Sequence, residues 1–451
     1  MAGSDISERS PVVRVGESRY AWYVVGVLMV CYTLSFVDRQ ILSLLVTPIK
    51  EDLGLNDTQI GLLQGLAFAI FYTALGLPAG WLADRFSRRW IVAVGVLLWS
   101  FMTAVCSVTR SFWSLFAARI GVGVGEATLG PCAFSLISDY FPRERLGTAL
   151  SVYSMGIFIG SGLAFIVGGV VVGAVSHMPP VEFPLFGTVA AWRLTFLIVG
   201  VPGLLVALLM CTVREPRRHG LLTEADGTTS RLNFAAVVEQ ISQRRLSVFF
   251  VSVATIFQAL NNYAVGAWIP VFFERAHGWA RGEAGLPLGL LIVTFGCLGM
   301  YLGGRLCDYW QRHRRYEAPL LVSVIGVIGG GVFVVLATTA SSAALSLFFM
   351  APAYFFLGFP IGSIFASIQW IFPNQLRGQA GALLQMILNI GGMGLGPLLP
   401  GVFTDYLFND PQRIGDAVAM TVAASSVAGA ILFRLGFSPY RADFARMHAS
   451  E

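Results

Sequence analysis

Along most of the chain, apolar residues run on for about twenty positions at a time before a charged or turn-forming break intervenes. Twenty residues of α-helix rise roughly 30 Å, the thickness of a bilayer's hydrocarbon core. The breaks predict twelve spans: Ala21–Val46, Ile60–Leu82, Trp90–Val108, Phe112–Ser138, Leu146–Val175, Trp192–Val213, Leu246–Phe273, Ala284–Leu306, Pro319–Thr338, Ala343–Ile371, Ala380–Phe403 and Ile414–Phe433. A polar stretch, Arg214–Arg245, parts the sixth from the seventh. The pattern therefore predicts a cytoplasmic tail over 1–20, a six-helix bundle over 21–213, a cytoplasmic linker over 214–245, a second six-helix bundle over 246–433 and a cytoplasmic tail over 434–451. In the linker, Leu232, Phe234, Ala235, Val238 and Ile241 recur at helical spacing among polar neighbours, which predicts an amphipathic helix lying on the membrane.

Composition sharpens this reading. Of 451 residues, 56% are hydrophobic and only 12% charged, against about 25% charged in an ordinary soluble domain. A soluble protein is excluded. The net charge of +5 does not point to nucleic acid, because the basic residues are scattered in short loops beside the spans. With both termini inside, the outer loops hold only Lys50, Arg110, Arg275, Arg281 and Arg413, while most other arginines fall in inner loops, linker and tails, as the positive-inside rule requires. The six cysteines form no CxxC pair or metal ladder, so neither disulfides nor zinc are expected. The first nineteen residues lack a cleavable secretory signal, so insertion is expected to begin with the first span. No HExxH or phosphate-binding loop is present, and the five histidines lie in loops or tails. An enzyme is not expected, and no cofactor is implied.

The two halves repeat. Gly80-Trp81-Leu82-Ala83-Asp84, followed by Arg88 and Arg89, matches Gly304-Arg305-Leu306-Cys307-Asp308, followed by further arginines, and Phe141-Pro142 with Gly147 matches Phe372-Pro373 with Gly378 at nearly the same offset. Duplicated bundles with a site between them are the architecture of secondary transporters, which rock one half against the other.

The six-plus-six layout, the Gly80–Arg85 loop and Trp192-Arg193 at the start of the sixth span resemble the major facilitator superfamily over nearly the whole chain. Within it, Phe36-Val37-Asp38-Arg39 and Arg119-x-x-x-Gly123-x-Gly125-Glu126-Ala127 resemble the spinster branch, associated with transport of sphingosine phosphate and lysophospholipids. The resemblance implies an all-α integral membrane fold of twelve helices in two six-helix pseudo-repeats, working by alternating access. The superfamily's antiporter signature is incomplete, since Gly156-x-x-x-Gly160-Ser161-Gly162 lacks its proline, and the direction of coupling stays open. Lys50 is the only lysine, a bias that suggests a bacterial inner membrane.

Charges inside the spans carry the candidate chemistry. Asp38, Arg39, Arg119 and Glu126 sum to zero; left unpaired at the bilayer centre they would cost on the order of 10 kcal/mol. They are expected to pair. Arg119 and Glu126, seven apart, share one face of the fourth span, and Asp38 is placed in depth to bridge them. Asp38 and Glu126 are the expected proton-coupling groups, and Arg39 or Arg119, once freed, the expected partner of an anionic headgroup. A purely packing role for the quartet is the competing reading. In the second half, Gln258, Asn261, Asn262, Tyr263, Ser363, Ser367, Gln369, Gln385 and Asn389 supply uncharged hydrogen-bonding groups, of which Asn261, Asn262, Tyr263, Gln369, Gln385 and Asn389 are the expected substrate contacts; helix glue is the competing reading for about half of the nine. Gly80, Asp84, Arg88, Arg89 and Asp308 are the expected gating residues, by likeness to the superfamily's latch. The expected partners are a small amphiphilic anion, protons and membrane lipid, and the expected state is a monomer. A hydrophobic drug or a small organic anion such as a sugar acid is the alternative cargo.

Overall fold

The structure, a computed structural model, describes residues 19–176, 181–183, 187–216, 234–372 and 377–448. Among these residues, 12 helices are long and apolar enough to cross a membrane. They are α1 (Arg19–Leu44), α2 (Asp57–Arg85), α3 (Arg88–Cys106), α4 (Phe112–Tyr140), α5 (Thr148–Ala174), α6 (Trp192–Cys211), α7 (Arg245–His277), α8 (Gly285–Arg312), α9 (Ala318–Thr338), α10 (Ala343–Ile368), α11 (Leu383–Phe408) and α12 (Pro411–Leu435). The all-α, twelve-span fold expected from the pattern is the fold observed.

Several helices are not straight rods. α2 breaks at Gly65, α4 at Ala127 and Thr128, just past Glu126, and α5 at Met155. Widened π turns run through Ile292–Gly296 of α8 and Asn389–Met393 of α11. Such turns often mark functional positions, because they leave backbone carbonyls underused and turn a helix face. Three elements were not expected, the first being a short helix, Val46–Leu53, that follows α1. The loop between α5 and α6 holds a short hairpin, β1 (Val181–Phe183) paired antiparallel with β2 (Gly187–Val189). Past α12, the chain forms a further helix, Phe437–His448, docked on the second half. Within the linker, the described helix is Phe234–Gln243; the expected apolar position Leu232 lies outside the described residues.

Each half packs around its own core. In the first, α3 lies against α4 and α6, and α1 against α5; in the second, α7 lies against α12, and α9 against α10 and α12. Between halves, α2 packs on α11 and α5 on α8, the same seam formed twice by the duplicated helices, with α1 touching α7 between them. The close contacts run to the end opposite the termini from mid-height, where Gly65 lets its helix approach so nearly that an added Cβ would fall 2.6 Å from the carbonyl oxygen of Gly394. Hydrogen bonds join the halves at that far end: Thr47 to Glu274 (2.7 Å), Arg275 to Asp57 (2.7 Å) and Arg281 to Glu51 (2.6 Å). Toward the termini, the segments Leu129–Tyr140 and Arg143–Ser154 pack within the first half, and Ile361–Ile371 and Arg377–Leu388 within the second. Among the described residues, the halves are closed together at the far end and open toward the termini.

Candidate functional site

Successive residues of a helix point about 100° apart, so neighbours on α1 serve different surroundings. Arg39 reaches across to α4, where its Nε donates to Glu126 Oε2 at 2.6 Å and its terminal nitrogen lies at the same distance. Rings crowd the faces of this guanidinium: its carbon lies 5.0 Å from the centroid of Phe36, 4.6 Å from Phe68 and 4.8 Å from Tyr72. Cation–π attraction occupies the plane's faces and leaves the hydrogen-bonding edge for the carboxylate. Phe68 of α2 is also 5.9 Å from the guanidinium carbon of Arg119, so one ring serves both cations. Tyr263 of α7 stands near Arg39 from the opposite half.

Asp38 takes another direction. It is fully buried, and neither carboxylate oxygen has a hydrogen-bond partner among the described residues. Thr103 of α3, Arg119 and Glu126 of α4, and Arg39 of its own helix are the groups around it. Arg119 donates instead to the Asp38 backbone carbonyl at 3.1 Å. The expected bridge from Asp38 to both Arg119 and Glu126 is therefore not formed: the helical offset turns Asp38 into the first half's interior, and Glu126 is already engaged by Arg39. The structure does bring the four ionisable groups together between α1 and α4, with Asp38, Arg119 and Glu126 each at most 1% exposed.

The second half differs. Gln258 donates to the Leu357 carbonyl of α10 at 3.1 Å, and Asn262 to the carbonyls of Gln258 and Leu357 at 3.2 and 3.4 Å. Asn261 donates to Ser426 of α12 at 2.9 Å and accepts from Ser425. Both ends of its amide bond α7 to α12, so this expected substrate contact is engaged in helix packing. Ser363 and Ser367 donate to carbonyls of their own helix region. Gln385 donates to Asn389 at 3.0 Å, inside the π turn of α11. The side chain of Gln369 lies outside the described residues.

At the termini end, the expected gating residues separate into two kinds. Asp84 and Asp308 are exposed, and Arg85 stacks on Trp81 at 4.0 Å. A Cβ on Gly80 would meet nothing within 4 Å, so no close approach exists there in this conformation. Arg88 is instead buried inside the first half. It pairs with Asp139 of α4 at 2.5 Å and, through Nε, with Glu215 past α6 at 2.7 Å. Glu215 also accepts from Ser87 and from the backbone N–H of Arg89. Partial burial raises the Glu215 carboxyl, but these donors outweigh it and hold it below the usual carboxylate range. The sequence shows Glu215 as an acidic residue beside a basic run, but not that it closes back on Arg88. The aromatic surround of Arg39 was missed for the same reason, since it assembles from α1 and α2.

A model of the Major Facilitator Superfamily matches residues 28–397. Among curated proteins, the chain is 30% identical to an MFS-type efflux pump of Mycolicibacterium smegmatis, over 94% of each chain. It is 25% identical to a probable galactarate/D-glucarate transporter, GudP, of Bacillus subtilis, over 93% of this chain and 92% of that one. Among solved structures, it is similar to a bacterial homologue of the human lysosomal transporter spinster, crystallised inward-facing and unoccupied. The TM-score is 0.76 at 25% identity, covering 97% of this chain and 99% of that one.

Proposed function

The chain belongs to the Major Facilitator Superfamily and is a multi-pass membrane transporter, not an enzyme; from that premise we propose that it carries an amphiphilic anion, of the lysophospholipid or sphingoid-phosphate kind, coupled to protons. The observation that carries this reading is the Arg39–Glu126 pair between α1 and α4, whose guanidinium is held by rings and whose carboxylate is titratable. Protonating Glu126 removes the acceptor's charge and frees the edge of Arg39. A phosphate or carboxylate then takes the vacated fork in the same plane, because the rings hold that plane fixed. Release of the anion lets Glu126 lose its proton and close the pair again. Asp38, with its unpartnered carboxylate beside Arg119, is the second proton-coupling group in this scheme. A headgroup at Arg39 leaves an acyl chain to lie along the apolar, aromatic surfaces of the second half.

The arginine-rich linker and tails support a topology with the termini and the open end on the cytoplasmic side of a bacterial inner membrane, and in this reading the protein acts as a monomer. A second reading, a sugar-acid cargo, is favoured by the likeness to the galactarate/glucarate transporter. Proteoliposome uptake of a labelled lysophospholipid, with and without a pH gradient and with galactarate as competitor, separates the two. One pH unit supplies about 1.4 kcal/mol per proton, so coupled uptake responds to it by about tenfold. Uptake of galactarate alone, or indifference to the gradient, overturns the proposal.

A further inference from the structure

The far-end closure is one seam built twice, yet only one copy carries a carboxylate across it. At the α2–α11 seam, Asp405 of α11 reaches the first turn of α2. Its Oδ1 accepts the backbone N–H of Asp57 at 3.2 Å, and its Oδ2 accepts the backbone N–H and the hydroxyl of Thr58, both at 2.6 Å. Asn56, the N-cap of the same helix, accepts the N–H of Gln59 at 2.8 Å. The leading N–H groups of α2 are thus all engaged, two of them by a side chain from the opposite half. A carboxylate at this position also meets the positive end of the helix dipole. Gly401, one turn earlier on α11, makes the approach possible: a Cβ there would fall 2.4 Å from the carbonyl oxygen of Asp57.

The spacing is familiar within this chain. Gly401-Val402-Phe403-Thr404-Asp405 repeats the Gly-x-x-x-Asp of Gly80–Asp84 and Gly304–Asp308, but at the opposite membrane face. The far end of α5, Gly168 to Gly173, has no acidic residue. There Gly169 abuts the carbonyl oxygen of Gly282, with a Cβ distance of 2.6 Å, and α5 has no carboxylate to send across.

We propose that Asp405 is the latch of the far-end gate: from α11 it caps α2, holds the two halves shut at that end, and must let go each time the molecule turns outward. The inference rests on the reading that this transporter alternates between two openings, but not on what it carries. Opening exchanges a charged contact with two oriented N–H groups for water, so the closed state loses its bias when the carboxylate is removed.

The test is a distance measurement in nanodiscs by double electron–electron resonance, on a Cys211→Ser background with spin labels at Trp113→Cys and Gln412→Cys, both exposed at the far end. Asp405→Ala is expected to raise the ratio of long to short distances by about fivefold or more. Asp405→Asn, which keeps an acceptor without the charge, falls between. Asp416→Ala, whose exposed partner is Arg413 at 2.7 Å, leaves the ratio unchanged. A second label pair within the first half, Trp113→Cys and Val94→Cys, reports folding; if Asp405→Ala disturbs it, Asp405→Asn carries the test. An unchanged ratio in the folded Asp405 variant, or an equal response to Asp416→Ala, overturns the proposal. Because no substrate is present, this outcome is independent of the lysolipid reading.

Discussion

The two six-helix halves share one architecture and divide the chemistry unequally. In the first, the polar groups at mid-membrane include ions: Arg39 on Glu126, Arg119 on the Asp38 carbonyl. In the second, they are amides and hydroxyls, and most are bonded to a neighbouring helix, as Gln258 is to Leu357 and Asn261 to Ser425 and Ser426. The termini-side loops diverge likewise. Arg88 is buried between two carboxylates, whereas Arg312, in the duplicated loop, is exposed. Duplication preserved the helix seams between the halves, while the ionised groups at mid-membrane stand on one side. A buried ion pair is poor value as a stabiliser compared with apolar packing, which favours function as the reason for keeping it.

Breaking the ionic side should cost most. With Glu126→Gln, accumulation that responds about tenfold to each unit of pH gradient becomes indifferent to it, as counterflow and gradient-driven uptake in proteoliposomes would show. If Asn261→Leu produced the same loss, the division between halves would be wrong. Arg88→Ala removes a buried cation from between Asp139 and Glu215, and stability should fall by about 3 kcal/mol, read as a lower thermal midpoint in detergent. Arg312→Ala, its counterpart, should leave the midpoint where it was. Phe68→Leu removes the ring shared by Arg39 and Arg119, a loss of about 1–2 kcal/mol of orientation. It should weaken substrate affinity by about tenfold and displace the pH profile, with Phe68→Trp restoring both. Asn261→Ala should cost about 0.6–1.7 kcal/mol in stability and spare the pH profile.

The smallest effect concerns acid. The Glu215 carboxyl is held low in the folded state, so its contribution is fully present above the ordinary carboxylate pKa and disappears as pH falls through the folded value. The gap in thermal midpoint between the natural protein and Glu215→Gln should be widest near neutral pH and narrow steadily on acidification below about pH 4.3. A gap that widened on acidification would contradict the pairing with Arg88.

Span number, the ionic quartet and the duplicated loops were legible because each rests on a local signal: an apolar run, a charge within it, a repeated spacing. Partner choice was not. Whether Asp38 or Arg39 meets Glu126 turns on about 100° of helix rotation, which depends on how α1 packs. Arg88 looked like a free latch because its partners lie on α4 and past α6. The terminal helix was legible in principle, since Phe437, Tyr440 and Phe444 recur at helical spacing, but the charged residues between them favoured a solvated tail. Nothing in the residues Asn389–Met393 announces a widened turn.

That terminal helix has a practical consequence for anyone producing the protein. Tyr440, its hydroxyl pushed well above the usual phenol range by burial, donates to the Ser367 carbonyl at 2.8 Å, Asp443 accepts from Ser247, and Phe444 stacks on Tyr316 at 4.8 Å. Trimming the sequence after Leu435 to obtain a tidier crystallisation sample would strip the cover from Phe372 and its apolar neighbours and invite clumping in detergent. Purification handles belong beyond His448, joined by a spacer long enough to leave this clasp undisturbed.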